Sequence, residues 1–220
     1  MVKRRLYLFL GFLFLGFILI ASYPGTFADM FFKEQGATSF PEESLKKILK
    51  DKGFSKKLQK PLLYISKSKC RLTLYEGGIV LKSYSIAMGQ NFLEGAKERE
   101  GDRRTPEGRY FITEKRVVFP PKKLLGSRWL GISYPAKGDV ERGYSEGILS
   151  EEEYLALMRL VEEGEPLPQK TPLGGEIGVH GGHAFGKEFT WTLGCVALTN
   201  HDIEEIYPFL PIGTPVIIIP

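Results

Sequence analysis

The chain has 220 residues, with 30 Lys and Arg against 26 Asp and Glu, a formal net charge of +4. Its 43% hydrophobic and 25% charged content fits a globular protein and excludes a disordered, collagen-like or multi-span membrane chain. Three of the positive charges, Lys3, Arg4 and Arg5, precede the first acid, Asp29, so residues 29–220 carry 27 basic and 26 acidic side chains. That near-neutral body lacks the clustered basic footprint of a nucleic-acid binder, and no nucleic-acid partner is expected.

Leu6 to Ala21 is an unbroken run of 16 apolar or Gly/Ala residues behind the three cations. A basic start, an apolar stretch and then small, turn-forming residues have the form of an export signal. Thr26-Phe27-Ala28 offers a weak cleavage site. An uncleaved anchor is the competing reading, because the uncharged stretch reaches Ala28, although Pro24 and Gly25 interrupt it. Residues 1–28 are therefore read as a signal peptide or an N-terminal membrane anchor. Either way Arg4 and Arg5 stay on the cytoplasmic side and the rest crosses into the cell envelope. Membrane contact is expected only through this segment.

Residues 29–60 read as a stalk with a short helix. Pro41, Glu42 and Glu43 suit a first turn, Leu45, Ile48 and Leu49 make an apolar stripe, and Gly53 ends it. From Pro61 the pattern turns to strands. Leu62 to Ile65 is one. Leu72 and Leu74, then Ile79 and Leu81, flank Glu76-Gly77-Gly78 as a hairpin. Tyr84 to Met88 follows, then a polar loop over 89–105. Arg109 to Ile112 is a strand behind the turn residues Thr105-Pro106-Glu107-Gly108.

Residues 117–172 read as an insert without a legible motif, a candidate wall or lid. It holds Trp129, Tyr134 and Tyr144. It also holds a well-signalled helix, with Ser150 and Glu153 as a capping box, apolar positions from Tyr154 to Val161, and Gly164 as the stop. A second helix starts near Thr199-Asn200 and is ended by Pro208 and Pro211. Val216 to Ile219 is a β-branched run expected as a buried strand. The sum is a mainly-β domain over 61–220 with a few short inserted helices.

The chemistry concentrates between Gly178 and Asn200. His180 ends a short strand-like segment, and Cys195 follows Gly194 in a turn 15 residues later. A thiol needs a nearby imidazole to become a good nucleophile. A preceding Gly lets the backbone approach a substrate carbonyl, and N–H groups around Cys195 can hold the oxyanion. By spacing alone, a small buried cysteine is the commoner outcome.

Four segments then carry a resemblance. Gly101-Asp102 with Thr105-Pro106-Glu107-Gly108-Arg109-Tyr110, Val179-His180-Gly181, Gly194-Cys195-Val196-Ala197-Leu198-Thr199-Asn200, and Gly213-Thr214-Pro215-Val216-Ile217 stand in order. Together they resemble the L,D-transpeptidase catalytic domain, the YkuD family. The resemblance implies a β-sandwich of that type with short helices and an exported cysteine acyltransferase of peptidoglycan.

By that resemblance, Cys195 attacks the carbonyl before the terminal D-residue of a stem peptide and forms a thioester. An amine from another stem peptide, a protein acceptor, or water resolves it. His180 acts as base and holds Cys195 as thiolate, the Gly181 carbonyl orients the imidazole, and N–H groups of Gly194 and Cys195 form part of the oxyanion hole. His183, Trp191 and Thr192 are further substrate-side candidates. No metal and no organic cofactor is implied. Two positions depart from the family pattern: Leu193 stands where a histidine is frequent, and Ala197 where an arginine is. Water attack would make the enzyme a carboxypeptidase or endopeptidase, and a non-catalytic wall-binding domain is the remaining alternative.

Simpler roles stand beside these. His183 is equally a surface-loop histidine, Trp191 a packing residue, and Asn200 the cap of its helix. Arg103 and Arg104 face either stem-peptide carboxylates or solvent. Cys70, between Lys69 and Arg71, is an incidental thiol, and a Cys70–Cys195 disulfide would block the nucleophile. A zinc site at His180, His183 and Cys195 lacks a visible fourth ligand.

Overall fold

The computed structural model describes residues 43–54, 57–183 and 189–220. The apolar run Leu6–Ala21, the Thr26–Ala28 cleavage site, Pro41 and Glu42 lie outside the described residues. Among the described residues no helix is long and apolar enough to cross a membrane.

Helix α1 (Leu45–Asp51) begins one residue after Ser44, whose hydroxyl accepts the Lys47 N–H at 3.3 Å. The cap is thus Ser44 rather than the Pro41–Glu43 turn. Leu45 and Leu49 are buried, and the Leu45 N–H donates to Glu205 at 2.6 Å, so α1 is docked on the domain. Lys82 and the Tyr84 hydroxyl reach the other oxygen of the same carboxylate at 2.7 and 2.8 Å.

The chain then lays down β1 (Pro61–Ser66), β2 (Arg71–Glu76) and β3 (Ile79–Ser85) as an antiparallel meander, with Gly77-Gly78 as the two-residue turn between β2 and β3. The two-residue strand β4 (Met88–Gly89) follows, and then the long β5 (Gly108–Lys122) and β6 (Gly126–Ile132). Helices α2 (Lys137–Ser145) and α3 (Glu151–Glu163) come next. The chain closes with β7 (Gly178–His183), β8 (Thr190–Thr192), β9 (Val196–Thr199), α4 (Asn200–Ile206) and β10 (Pro215–Ile219).

Eight strands form one ladder in the order β3-β2-β1-β10-β5-β6-β7-β9, and β4 pairs with β8 apart from it. The last strand of the chain thus lies inside the sheet, parallel to β1 and antiparallel to β5. Its β-branched residues account for that place: Val216 and Ile218 are buried and pair in register with Leu63 and Ile65 of β1. Each such side chain contributes about 1.5–3 kcal/mol by leaving water. The mainly-β expectation with short helices holds.

The segment 117–172 differs from the expected insert. Its first part is the end of β5 and all of β6, an integral piece of the sheet. Only 133–172 stands apart, as a pair of helices over a small apolar core of Val140, Leu149, Leu157 and Leu173. The Ser150–Glu153 capping box forms as the sequence predicts, with the Glu153 N–H on Ser150 Oγ at 3.2 Å and the Ser150 N–H on Glu153 Oε2 at 2.8 Å. Buried Asp139 ties this pair to the sheet. It accepts from Arg142 at 2.9 Å and from the Tyr110 hydroxyl, while Arg142 also donates to the Lys97 carbonyl at 2.8 Å.

Candidate active site

Strands β7 and β9 run parallel and adjacent, with Val179 opposite Val196 and His180 opposite Ala197. Cys195, the residue before β9, therefore emerges beside β7. Cys195 and His180 line the same cleft of about 1900 Å³. Parallel pairing, not sequence proximity, is what brings a thiol and an imidazole 15 positions apart to one place.

The His180 Nδ1 lies 2.6 Å from the Gly181 carbonyl oxygen. A carbonyl only accepts, so Nδ1 carries the hydrogen and the Nε2 lone pair is left to take a proton. The ring is further fixed by two indoles. Trp129 stacks on it with centroids 6.0 Å apart and planes 19° apart, and Trp191 meets it edge-on at 5.9 Å. Trp129 is in turn anchored by its Nε1–H on Glu114 at 3.1 Å. Burial lowers the His180 pKa below its ordinary value, against the pull of the Gly181 carbonyl, so the imidazole is neutral at pH 7.

Gly194 has φ +139°, and a Cβ there would lie 2.8 Å from the Arg104 carbonyl oxygen, so the turn before Cys195 closes only around glycine. The Thr192 hydroxyl donates to the Cys195 carbonyl at 2.6 Å and accepts the Gly194 N–H at 3.2 Å. The Gly194 donor expected in the oxyanion hole is thus spent inside the turn. Thr192 itself is buried and stiffens that turn from beneath.

The resemblance implies a thiolate at Cys195, and the surroundings of the sulfur work against one. Burial pushes Cys195 up to about 11, and the Glu176 carboxylate adds to this, against the Gly178 N–H and the Lys97 charge. Its Sγ–H points to the Glu176 carbonyl at 3.6 Å. Burial thus favours the neutral form of both the thiol and the imidazole.

The loop 97–108 is a brace rather than a turn with free arginines. Arg104 pairs with Glu98 at 2.6 Å and Glu94 at 3.3 Å, and Arg103 donates to Gln90 at 2.8 Å. Buried Lys97 pairs with Asp102 at 2.7 Å, and Asp102 also accepts the N–H groups of Glu98, Arg99 and Arg104. These partners lower the Asp102 pKa despite burial. Glu107 of the Thr105–Gly108 segment pairs with buried Lys67 at 2.6 Å.

Asn200 does not cap α4. Thr199 does, its hydroxyl accepting the Asp202 N–H at 3.1 Å. The Asn200 Oδ1 instead accepts the N–H groups of Ser127 and Gly182, each at 3.0 Å, tying β6 to β7 beside His180. His183 is buried with its ring on Phe189 and does not appear among the described residues lining the cleft. Leu193, 70% exposed, does line it. Ala197 is fully buried and bridges to Ala87. Cys70 and Cys195 are both free thiols. Among the described residues no group of three His, Cys, Asp or Glu is placed to hold a metal ion.

Sequence reasoning missed Trp129, Glu176 and Gln169. Trp129 sits opposite His180 in the β6–β7 register, a pairing that no local pattern encodes. Gln169 reaches back to Glu176, whose N–H it accepts at 2.8 Å.

Three solved structures are similar in fold. Bd1075 of Bdellovibrio bacteriovorus is 20% identical over 74% of this chain and 48% of its own, at a TM-score of 0.46. The helical cell shape determining protein Pgp2 of Campylobacter jejuni is 22% identical over 79% and 53%, at 0.49. An L,D-transpeptidase of Xylanimonas cellulosilytica is 16% identical over 80% and 70%, at 0.41. The chain spans about half the length of the first and second of these. No curated protein matches it. The model of the YkuD family, the L,D-transpeptidase catalytic domain, matches residues 60–218, which takes in Cys195, His180 and the main sheet except the last residue of β10. The chain belongs to the L,D-transpeptidase catalytic-domain family.

Proposed function

We propose that this protein is a cysteine acyltransferase of peptidoglycan stem peptides acting in the cell envelope, where its N-terminal segment takes or holds it. The observation that carries the reading is the placement of Cys195 and a single-tautomer His180 in one cleft, within a chain of this family. His180 Nε2 accepts the Sγ proton as sulfur attacks the donor carbonyl. The same proton then passes to the departing amine of the terminal D-residue, leaving a thioester and a neutral imidazole. With the Gly194 N–H engaged by Thr192, the Cys195 N–H is the nearby donor for the oxyanion. An amine acceptor, from a second stem peptide or a protein, completes transfer, and water completes hydrolysis.

The test is incubation of the full chain, and of Cys195→Ala, with stem tetrapeptides and muropeptides, read by mass spectrometry. Products joined 3→3 establish transfer, and free tripeptides alone establish hydrolysis. Full activity in Cys195→Ala, or absence of any covalent adduct on Cys195, overturns the reading in favour of a wall-binding domain.

A further inference from the structure

Glu176 stands out among the residues of the cleft. It is one of three non-glycine residues with positive φ among the described residues, at +53°, a conformation that a glutamate adopts against its own steric preference. It lies in a short run, Gly174-Gly175-Glu176, that leads directly into β7. Its side chain is exposed and lines the cleft with Cys195. Among the described residues no cation pairs with it. Glu114 of the same cleft is shared between Arg116, at 2.7 Å, and the Trp129 indole, while Glu100 and Glu165, also in the lining, are not tied as Glu176 is to the backbone beside Cys195.

The backbone of Glu176 is held from both sides. Its N–H donates to Gln169 Oε1 at 2.8 Å, and Gln169 Nε2 donates to the Tyr134 carbonyl at 3.2 Å. Gly175 packs directly on the Gln169 backbone, so that no side chain fits there. The Glu176 carbonyl receives the Cys195 thiol at 3.6 Å. The tail of the helical pair, through Gln169, thus fixes a strained residue whose backbone faces the nucleophile and whose charge is felt at the sulfur. A carboxylate there makes the thiol harder to ionise, so its presence works against the first half of the reaction.

We propose that the Glu176 carboxylate is a cation subsite that holds the ammonium group of an incoming amine beside Cys195, with Gln169 as its positioning residue. The inference rests on the acyl-transfer reading for its purpose, but the subsite itself is an equilibrium binding property. In the transfer step the bound ammonium releases one proton through Glu176 to water. The neutral amine nitrogen attacks the thioester carbonyl, its second proton goes to His180 Nε2, the C–S bond breaks and the amide forms. The proton on His180 returns to sulfur and restores the thiol.

The test is calorimetric or NMR titration of the full chain with a short peptide carrying a free lysine side-chain ammonium, beside its Nε-acetylated counterpart. Glu176→Gln is expected to weaken binding of the free-ammonium peptide about tenfold and to leave the acetylated peptide unchanged, and added salt is expected to erase the difference. Equal affinity of wild type and Glu176→Gln for the ammonium peptide, or equal weakening for both peptides, overturns the proposal. Gln169→Ala is expected to reproduce the loss, and Gln169→Glu, which keeps the acceptor, to restore it in part. Because binding is read without turnover, an inert Cys195 refutes the acyl-transfer reading while leaving this measurement decisive.

Discussion

The Thr192 hydroxyl donates to the carbonyl of Cys195 at 2.6 Å while accepting the N–H of Gly194, so one buried side chain closes the turn that presents Cys195. Thr192→Val keeps the shape and removes both bonds. It leaves a buried N–H and a buried carbonyl unpaired, and costs about 1–3 kcal/mol of stability. The freed Gly194 N–H and a looser turn should slow acylation of Cys195 about tenfold, with Thr192→Ser near wild type. Thermal melts and intact-mass kinetics with a carbapenem check both. Undiminished acylation in Thr192→Val would remove the turn's role.

Thiol reactivity provides a second test. Burial pushes Cys195 up to about 11 and Cys70, 5% exposed, up to about 12, from the ordinary 9.0. The rate of iodoacetamide labelling at Cys195 should therefore climb through pH 9 and above, with no plateau near neutrality. A plateau between pH 5 and 7 would instead mark a resting thiolate–imidazolium pair.

The same raised values predict alkaline destabilisation. In the unfolded chain both thiols ionise from about pH 9, whereas the folded protein keeps them protonated. The unfolded state then binds fewer protons, and stability falls as pH rises from 9 towards 12. Cys70→Ala should flatten part of that fall in chemical-denaturation titrations. At the acid end the depressed His180 pKa works oppositely. Its neutral form is favoured by folding, and that contribution is lost as pH drops below 6.5.

Asn200 Oδ1 holds the N–H groups of Ser127 and Gly182. Asn200→Ala should cost about 2–3 kcal/mol, roughly one hydrogen bond's worth for each orphaned N–H. It should also lower acylation, because Gly182 follows the residue that orients His180. Asn200→Asp keeps an acceptor and should recover much of the stability. A melt of Asn200→Ala within 1 °C of wild type would show that water replaces it.

The Lys97–Asp102 pair is buried on both sides. Asp102→Ala leaves Lys97 charged and unpaired and should destabilise by about 3–5 kcal/mol. Because the Asp102 pKa is lowered, its contribution is complete above the ordinary 3.8 and is lost as pH falls below it. Denaturation of wild type and Asp102→Asn compared at pH 7 and pH 3 checks this: the gap between them should narrow at pH 3.

Much of this protein was written locally. Alternating apolar residues marked β1 to β3, Ser150 and Glu153 marked the start of α3, and the β-branched close marked β10, because such signals act over a few residues. Order along the chain also singled out Cys195 and His180. Their shared cleft depended on β7 and β9 pairing in parallel, which only long-range packing sets.

The protonation state of the pair was likewise beyond the sequence. In the sequence Arg103 and Arg104 face either stem-peptide carboxylates or solvent. In three dimensions Arg104 is consumed by Glu94 and Glu98, Lys97 by Asp102, and burial dominates at sulfur. The sequence by itself determined the residue types, the local elements and the family. Tertiary structure alone decided which groups are desolvated, which donors are already spent, and that Trp129, Gln169 and Glu176 share the cleft with Cys195 and His180. Desolvation and hydrogen-bond commitment depend on neighbours that the chain supplies from distant positions.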